Sequence, residues 1–353
     1  MKKVFICMLA LVMIFTATNS VAAKNDVGSL YSKADSWYYD SATEGVLIVK
    51  DNKVEYVNDI KEGINFLGLQ RNFTGQLKFV SFIPAALPKQ MANPNSLVSV
   101  AGLKELIGQP NVVVVDCSEK MKDVIPGAIW IDRTKLYGEL DGSFRNIESK
   151  EVTEQILGEY GIGNDTTVIF YDDYDNLYST FFLWQLRAYG HNDVRILNGG
   201  TKAWLAAGEP VVNEAAVPGP AVTYTASDNV AAIRADLQDV LNATNNPEYT
   251  LVDFRPKEDF DEGHIPGAIH FNYLDDLLNE DGTFKTVEEY EELLKNKNVP
   301  QDTKIIVYCW GGVWASGMYY VFVDYLGWPE QVQNYNGGWW NYTWAEYPPI
   351  AVK

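Results

Sequence analysis

The chain has 353 residues, a net charge of −19 and 47% hydrophobic residues, so it is long enough for two or three domains with separate cores. The acidic balance and the lack of a lysine or arginine cluster exclude nucleic acid and an anionic membrane surface as partners. The histidines and cysteines are not paired closely enough for a zinc site, no Gly-rich phosphate loop follows a strand, and no cofactor is expected.

The first residues have the pattern of a secretory signal. Two lysines precede the apolar run Val4 to Phe15, and a polar stretch then ends in Val21-Ala22-Ala23, which predicts cleavage after Ala23 and a signal peptide over residues 1–23. The apolar run is about half of the ~20 residues that span a bilayer, so an uncleaved anchor is the weaker alternative. We therefore expect an exported protein, periplasmic or extracellular, with no membrane contact after cleavage.

Residues 24–95 form an N-terminal extension or small domain to which the sequence assigns no role. Alternating segments such as EGVLIVKDNKVEYVN predict strands, with a hairpin turn near Asp51 and Asn52.

The remainder of the chain repeats itself once. NVVVVDC (111–117) matches YTLVDF (249–254), IPGAI recurs at 125–129 and 265–269, and LDGSF (140–144) matches NEDGTF (279–284). DTTVIFYDD then matches DTKIIVYCW, and ILNGGTKAW matches NYNGGWWNY. Five matches in the same order define a repeated folding unit.

Each unit begins with an aliphatic strand and a second strand after Ile-Pro-Gly-Ala. A polar helix follows, over 152–160 in the first unit and 287–294 in the second, and then an apolar strand, a loop, a helix and a strand before Asn-Gly-Gly. Aliphatic strands alternating with helices predict an α/β class, in which each unit has a mostly parallel sheet with helices on both faces.

A segment rich in proline and alanine separates the two units. Residues 208–227 lack an apolar period, which favours an extended linker. The predicted domains are therefore 96–207, which has no cysteine in its displayed loop, and 228–353, which has one.

That cysteine, Cys309, ends an apolar strand and precedes two glycines and a helix that is predicted to begin near Ala315, so we expect it to be displayed rather than buried. The loop CWGGVWA and the upstream Gly-His-Ile-Pro-Gly-Ala turn resemble those of the rhodanese domain. The whole repeat, over about 96–353, resembles a tandem sulfurtransferase of the rhodanese and mercaptopyruvate sulfurtransferase type. In such proteins the first domain often has aspartate instead of the cysteine, and Asp172 stands there in this sequence.

The resemblance implies that Cys309 accepts a sulfane sulfur from a donor such as thiosulfate or mercaptopyruvate. It would hold the sulfur as a persulfide and pass it to a thiol, cyanide or a thiol redox protein. A nucleophilic cysteine has to be ionised, so the pKa of Cys309 is expected to lie below the usual value of about 8.5. Backbone N–H groups and the helix N-terminus can provide that stabilisation, and the loop residues assigned to sulfur and substrate binding are Trp310, Gly311, Gly312, Val313 and Trp314.

Arg255 follows a predicted strand end and is the candidate substrate-binding cation, because open α/β sheets bind ligands at strand C-termini. A purely structural ion pair is the alternative for Arg255, and Asp253 is expected to support it. His264 is expected to be structural. The loop lacks the arginine or lysine of thiosulfate-type rhodaneses, and Asp259 stands where two-domain enzymes often have a second arginine, so the donor stays open.

Three alternatives compete with the sulfurtransferase interpretation. A phosphatase of the same fold needs an arginine six positions after the cysteine, where this chain has Ala315, and is set aside. A disulfide oxidoreductase lacks a Cys-x-x-Cys pair, although a Cys117–Cys309 disulfide is a possible pairing. A non-catalytic exported binding module, with Cys309 idle, stays open.

Overall fold

The structure is a computed structural model, and it describes residues 36–40, 45–50, 53–57, 69–71, 77–79, 89–138 and 146–345. The predicted signal peptide lies outside these residues. The chain divides into two compact units, Met1–Pro88 and Lys89–Lys353.

The first unit contains antiparallel strands. They are β1 (Ser36–Asp40), β2 (Gly45–Lys50), β3 (Lys53–Val57), β4 (Leu69–Arg71) and β5 (Leu77–Phe79). Strands β1, β2 and β3 pair in that order, and β4 pairs with β5. The pairing of β2 with β3 confirms the predicted hairpin, because Lys50 is opposite Lys53.

The second unit contains two five-stranded sheets of the same design. The sheet of the first copy contains β6 (Leu97–Val98), β7 (Val112–Asp116), β8 (Ile129–Trp130), β11 (Thr167–Tyr171) and β12 (Val194–Leu197), while β9 (Tyr137–Gly138) and β10 (Asn146–Ile147) form a separate antiparallel pair. The second copy contributes β13 (Arg234–Ala235), β14 (Tyr249–Asp253), β15 (Ile269–His270), β16 (Lys304–Tyr308) and β17 (Val332–Tyr335). The strand orders are β6-β12-β11-β7-β8 and β13-β17-β16-β14-β15, and every pairing within these two sheets is parallel.

Ten α-helices of the described residues lie in this unit. They are α1 (Val100–Leu106), α2 (Lys150–Glu159), α3 (Leu177–Ala188), α4 (Gly200–Ala206), α5 (Val230–Ile233), α6 (Leu237–Ala243), α7 (Lys257–Glu262), α8 (Val287–Asn296), α9 (Ala315–Tyr320) and α10 (Gly338–Trp344). Helices α2 and α8 correspond to the predicted polar helices. Helix α8 starts where it does because Thr286 and Glu289 form a reciprocal capping box.

The apolar side chains divide into three clusters, which explains why the strands carry no alternating pattern. One large cluster contains α3 and α9 and joins both domains. Smaller clusters lie on the opposite face of each sheet, around Trp204 in the first domain and Tyr342 in the second. Each sheet is therefore covered on both faces, which confirms the predicted fold class.

The linker lies against the first domain as an extended segment. Val212 exchanges backbone hydrogen bonds with Val124, the Val222 N–H donates to the Gly158 carbonyl, and Tyr224 is buried. The segment before β6 also belongs to this unit, since the Ala92 N–H donates to the Tyr325 carbonyl. In the described part of the chain, no helix has the length and apolar character that a bilayer crossing needs.

Candidate active site

Cys309 follows β16 directly, at the edge of the sheet where parallel strands end. The expectation that it is displayed is wrong, because the residue is only 2% exposed. It instead borders a cavity of about 150 Å³. The cavity lining comprises Leu177, Tyr178, Cys309, Trp310, Gly311, Val313, Trp314 and Trp340.

Two opposing effects set the pKa of the Cys309 thiol. Burial is the larger and raises the pKa, while hydrogen bonds from the backbone N–H groups of Ala315, Gly311, Trp314 and Gly312 lower it. The net direction is upward, so the expected lowering is wrong for the resting thiol. Three of these amides were predicted, and the amide of Ala315, at the start of α9, was not.

The Gly312 amide points at the sulfur because asparagine side chains hold the loop carbonyls on the other side. The Asn336 Nδ2 donates to the Gly311 carbonyl at 3.2 Å, and the Asn334 Nδ2 donates to the Gly312 carbonyl at 2.8 Å. A trans peptide directs its C=O and N–H in opposite directions. Anchoring the Gly311 carbonyl therefore turns the Gly312 N–H inward, toward Cys309.

Two glycines allow the loop and the Asn-Gly-Gly segment to touch. Gly312 has a φ of 78°, and a Cβ there would lie 2.4 Å from the Asn336 Cα. Gly338 has a φ of 60°, and a Cβ there would lie 2.7 Å from the Cys309 carbonyl oxygen. Any larger residue would displace the loop from its support.

The asparagine of each Asn-Gly-Gly segment also joins the two domains. The Ile147 N–H of the first domain donates to Asn336 Oδ1 at 2.8 Å. Reciprocally, the Phe284 N–H of the second domain donates to Asn198 Oδ1 at 2.9 Å. The internal repeat identified the Asn-Gly-Gly segment. The spacing of its residues did not predict that the asparagine hydrogen-bonds to the other domain.

Arg255 is fully enclosed in a structural network. Its Nε donates to both carboxylate oxygens of Asp253, and its Nη2 donates to Asp253 at 2.7 Å and to the Gly263 carbonyl at 2.7 Å. Its guanidinium carbon lies 5.0 Å from the ring centroid of Trp310 and 4.1 Å from that of Trp339. Arg255 is 1% exposed and lies beneath Trp310, outside the cavity lining. This geometry favours the alternative in which Arg255 forms a structural ion pair, and Asp253 is the partner that supports it.

His264 also has a structural environment. Its ring stacks on Phe260 with the centroids 3.8 Å apart, and its Nδ1 is 2.9 Å from the Phe260 carbonyl oxygen.

The corresponding loop of the first domain is already filled by a carboxylate. Asp172 Oδ2 accepts hydrogen bonds from the Ser179 N–H and hydroxyl, and Oδ1 accepts one from the Tyr174 N–H. Burial raises the pKa of Asp172, and these bonds oppose the rise. The loop is thus an anion cradle in both domains, with the aspartate as a fixed occupant in the first.

Cys117 is buried beside that loop, and its Sγ lies 3.1 Å from the Tyr171 carbonyl oxygen. Burial and the neighbouring Asp172 raise its pKa well above the ordinary value. Cys117 and Cys309 are both free thiols, so the structure does not contain the disulfide considered above.

The first domain supplies a wall of the Cys309 cavity, which the sequence did not predict. Leu177 and Tyr178 begin α3, and α3 packs on α9, where the Thr180 and Ser316 hydroxyls are 3.0 Å apart. Trp340, from α10, completes the aromatic lining, with its ring centroid 6.0 Å from that of Trp310.

A larger open depression of about 490 Å³ lies elsewhere between the two domains. Its lining includes Asp175, Lys202, Asp275 and Lys285, but no cysteine or histidine. The Cys309 cavity is therefore the stronger candidate for nucleophilic chemistry. No cluster of three or more potential metal ligands occurs among the described residues.

The paired sheets, each ending in an anion-cradling loop, define a tandem α/β protein of the rhodanese class. The family model described as "Rhodanese-like domain" matches residues 99–207 and 236–344. The chain belongs to the rhodanese family.

Relatives extend this likeness over both domains. Thiosulfate sulfurtransferase of Corynebacterium glutamicum is 34% identical over 281 residues, 73% of this chain and 91% of the relative. The sulfur carrier protein TtuD of Thermus thermophilus is 30% identical over 282 residues, covering 74% of this chain and 98% of TtuD. Among solved structures, SseA from Escherichia coli, described among 3-mercaptopyruvate sulfotransferases, matches with a TM-score of 0.62 and 26% identity over 69% of this chain and 98% of SseA.

Proposed function

We propose that the protein is a sulfurtransferase that carries a sulfane sulfur as a persulfide on Cys309. The observation that carries the proposal is the set of four backbone N–H groups around the Cys309 sulfur, at the edge of a cavity. The family membership and the names of the relatives support the same class of reaction.

In the first half-reaction, the Cys309 thiolate attacks the sulfane sulfur of the donor. A new S–S bond forms, the donor's bond to that sulfur breaks, and the leaving group departs with the electron pair, as sulfite when the donor is thiosulfate. The backbone amides that lie around the sulfur then stabilise the negative outer sulfur of the persulfide. This is the oxyanion-hole principle applied to sulfur.

In the second half-reaction, an acceptor attacks the outer sulfur. The S–S bond of the persulfide breaks, its electron pair returns to Cys309 as thiolate, and the acceptor leaves as thiocyanate or as a new persulfide. Cyanide, a small thiol and the thiol of a redox protein are the proposed acceptors. Two separate half-reactions on one nucleophile give ping-pong kinetics.

The aromatic lining bears on the choice of donor. Trp310, Trp314, Trp340 and Tyr178 surround a space that is small beside the ~300–1,000 Å³ of typical drug-sized sites, so a small donor is favoured. Thiosulfate and mercaptopyruvate both satisfy this condition. The apolar wall also supports an organic persulfide or thiol as substrate.

A steady-state assay tests the proposal. Thiosulfate and mercaptopyruvate are supplied separately with cyanide, and thiocyanate formation is measured. We expect turnover with at least one donor, loss of turnover in Cys309→Ser and retention in Cys117→Ser, whose thiol lies against Tyr171 and Ser179 of the first domain. Turnover that survives Cys309→Ser, or turnover with neither donor, contradicts the proposal.

The raised pKa of Cys309 favours a second candidate, the non-catalytic exported binding module. A buried, protonated thiol is the ordinary state of a structural cysteine. The same assay separates the two candidates, since the module gives no thiocyanate with either donor.

We also propose that the protein is exported. The lysine pair, the short apolar run and the Ala22-Ala23 ending support this. N-terminal sequencing of protein from an extracytoplasmic fraction should begin at Lys24. Recovery in the cytoplasm with an intact Met1 would contradict export.

A further inference from the structure

Asp172 of the first domain and Cys309 of the second occupy the same place in the repeat. Each directly follows the tyrosine that ends the central strand of its sheet, and the hydroxyl oxygen of each tyrosine accepts the N–H of the isoleucine in Ile-Pro-Gly-Ala. The carbonyl of each also accepts a backbone N–H from the helix after Asn-Gly-Gly, that of Thr201 for Asp172 and that of Trp339 for Cys309. The backbones of the two loops are therefore held in equivalent ways.

The Asp172 carboxylate shows how such a loop binds a charged side chain. Its Cγ corresponds to the Cys309 Sγ, and its oxygens are one bond further from the backbone, as the outer sulfur of a persulfide is. Oδ1 accepts the Tyr174 N–H at 2.8 Å, and the equivalent N–H in the second domain, that of Gly311, is one of the amides bonded to Cys309. Oδ2 accepts the Ser179 N–H at 2.8 Å and the Ser179 hydroxyl at 2.6 Å. Ser179 is therefore the side chain that binds the charged oxygen.

Ser316 is the equivalent of Ser179, seven positions after Cys309, but its hydroxyl has a different partner. Ser316 is fully buried, and its hydroxyl donates to the Val313 carbonyl at 2.6 Å. Burial raises the pKa of Cys309, so the resting sulfur is a neutral thiol and a weak acceptor, and the carbonyl is the better partner. A negative sulfur would reverse this preference, because a hydrogen bond to a charged acceptor is roughly twice as strong as a neutral one.

The groups around Ser316 allow its hydroxyl to turn. The Thr180 hydroxyl, from α3 of the first domain, lies 3.0 Å from Ser316 Oγ and can donate its hydrogen to that oxygen. The Val313 carbonyl keeps the Ser316 N–H, at 3.3 Å, when the hydroxyl leaves it. Rotation about one side-chain bond therefore leaves the Val313 carbonyl and the Ser316 oxygen each with a partner. A chain of hydroxyls from Thr180 through Ser316 to an anion also strengthens each bond within it.

We propose that Ser316 is a further catalytic residue, whose hydroxyl turns to donate a hydrogen bond to the outer sulfur of the Cys309 persulfide. The inference rests on the proposed function. The turn changes no covalent bond. It adds one side-chain donor to the backbone amides around the anion, as Ser179 does for Asp172. Thr180 then has a positioning role, through which the first domain supports the sulfur that the second domain carries.

The pH dependence of persulfide alkylation tests the inference. The protein is loaded with sulfur from thiosulfate or mercaptopyruvate, the donor is removed, and the rate of iodoacetamide addition to the persulfide is followed by mass spectrometry of the Cys309 peptide over a series of pH values. Losing a hydrogen bond to the anion disfavours the anion, so Ser316→Ala should move the midpoint to higher pH by about one unit, a tenfold change. Ser316→Thr keeps a hydroxyl and should keep the parent midpoint. The matched control is Ser179→Ala, which removes the equivalent hydroxyl from Asp172 and should leave the midpoint unchanged.

Alkylation of the unloaded thiol separates this role from a general disturbance of the loop. Ser316→Ala should leave the thiol profile unchanged, because the Val313 carbonyl still has the Ser316 N–H. An unchanged persulfide midpoint in Ser316→Ala overturns the inference, and so does an equal shift of the thiol and persulfide profiles.

Thr180→Val keeps the test decisive if Ser316→Ala fails to fold. It removes the hydroxyl that donates to Ser316 and should shift the persulfide midpoint in the same direction, so an unchanged midpoint there also overturns the inference. Failure of the proposed function gives a different result. In that case the parent protein gains no sulfur from either donor, whereas the inference alone fails when Cys309 is loaded and Ser316 has no effect on the persulfide.

Discussion

The Cys309 sulfur lies where burial and backbone hydrogen bonding oppose each other. Burial dominates in the resting protein and raises the thiol pKa, while the amides of Ala315, Gly311, Trp314 and Gly312 favour the anion. A persulfide adds an outer sulfur that carries the charge. Under the proposed function, the amides would therefore matter more for the persulfide than for the free thiol.

The reactivity of Cys309 toward iodoacetamide should follow this pKa. Because the folded pKa is raised, the protonated form is favoured at neutral pH, and the thiolate fraction at pH 7 is below that of a free thiol. We expect the alkylation rate, followed by mass spectrometry from about pH 6 to about pH 10, to keep rising beyond about pH 8.5. A plateau on the acid side of that value contradicts the assigned direction.

Asp116 and Asp253 occupy equivalent positions at the ends of β7 and β14 but have opposite environments. Asp253 is paired with Arg255, whereas the residue two positions after Asp116 is Ser118. Burial raises the pKa of Asp116 to about 6, and hydrogen bonds from Ser118 and Tyr171 reduce the rise.

We expect Asp116→Asn to stabilise the protein at neutral pH. The stability that protonated Asp116 provides is fully present below about pH 3.8 and is lost as the pH rises through about 6. The gap corresponds to about 3 kcal/mol, so urea unfolding should show a gain approaching that value at pH 7 and little at pH 4. Asp253→Asn is the matched control with the opposite sign, because it leaves Arg255 buried and unpaired. Destabilisation by Asp116→Asn at pH 7 would contradict this account.

At the scale of elements, the loop after β16 keeps its shape because the Asn-Gly-Gly segment after β17 supports it. Asn336 holds the Gly311 carbonyl and receives the Ile147 N–H. The first domain repeats the connection with Asn198, which receives the Phe284 N–H. The two asparagines therefore share the joining role, while Asn336 alone also supports the Cys309 loop.

Asn336→Ala and Asn198→Ala form a matched pair. Each leaves a backbone N–H unpaired, so each should lower the free energy of unfolding by about 1–3 kcal/mol in denaturant titrations. Only Asn336→Ala should also slow sulfur transfer through Cys309, because it frees the Gly311 carbonyl and lets the Gly312 N–H turn away. Equal slowing in both variants would show that the effect comes from the domain contact rather than from the loop.

The sequence predicted the elements well because their signals are local. Aliphatic runs, Gly-rich turns and the internal repeat were enough for the two parallel sheets and for the loop amides of Gly311 and Gly312. The burial of Cys309 was not predicted, because Leu177 and Tyr178 reach it from the other domain. Contacts between domains depend on how the domains pack, and the spacing of residues within one repeat gives no information about that packing.

On the scale of the whole unit, the two domains share one apolar core, and a buried ion pair crosses it. Arg187 of α3 donates to both carboxylate oxygens of Asp324, at 2.5 and 2.8 Å. The Asn93 Nδ2 donates to the same carboxylate at 2.9 Å. The two domains should therefore unfold together rather than one after the other.

Arg187→Ala should lower the free energy of unfolding by about 3–5 kcal/mol, because it leaves the fully buried Asp324 charge uncompensated. Arg195→Ala breaks the more exposed pair with Asp193 and should cost about 0–1 kcal/mol. Urea unfolding by fluorescence and circular dichroism measures both, and the two probes should give one coincident transition. Two separate transitions in the unsubstituted protein would contradict the shared core.

The most direct test of the central claim is the intact mass of the protein after incubation with thiosulfate or mercaptopyruvate. We predict the gain of one sulfur atom on Cys309, its loss when cyanide is added, and no gain in Cys309→Ser. A mass that stays unchanged with both donors, or a sulfur that remains in Cys309→Ser, would contradict a persulfide held by the amides of this loop.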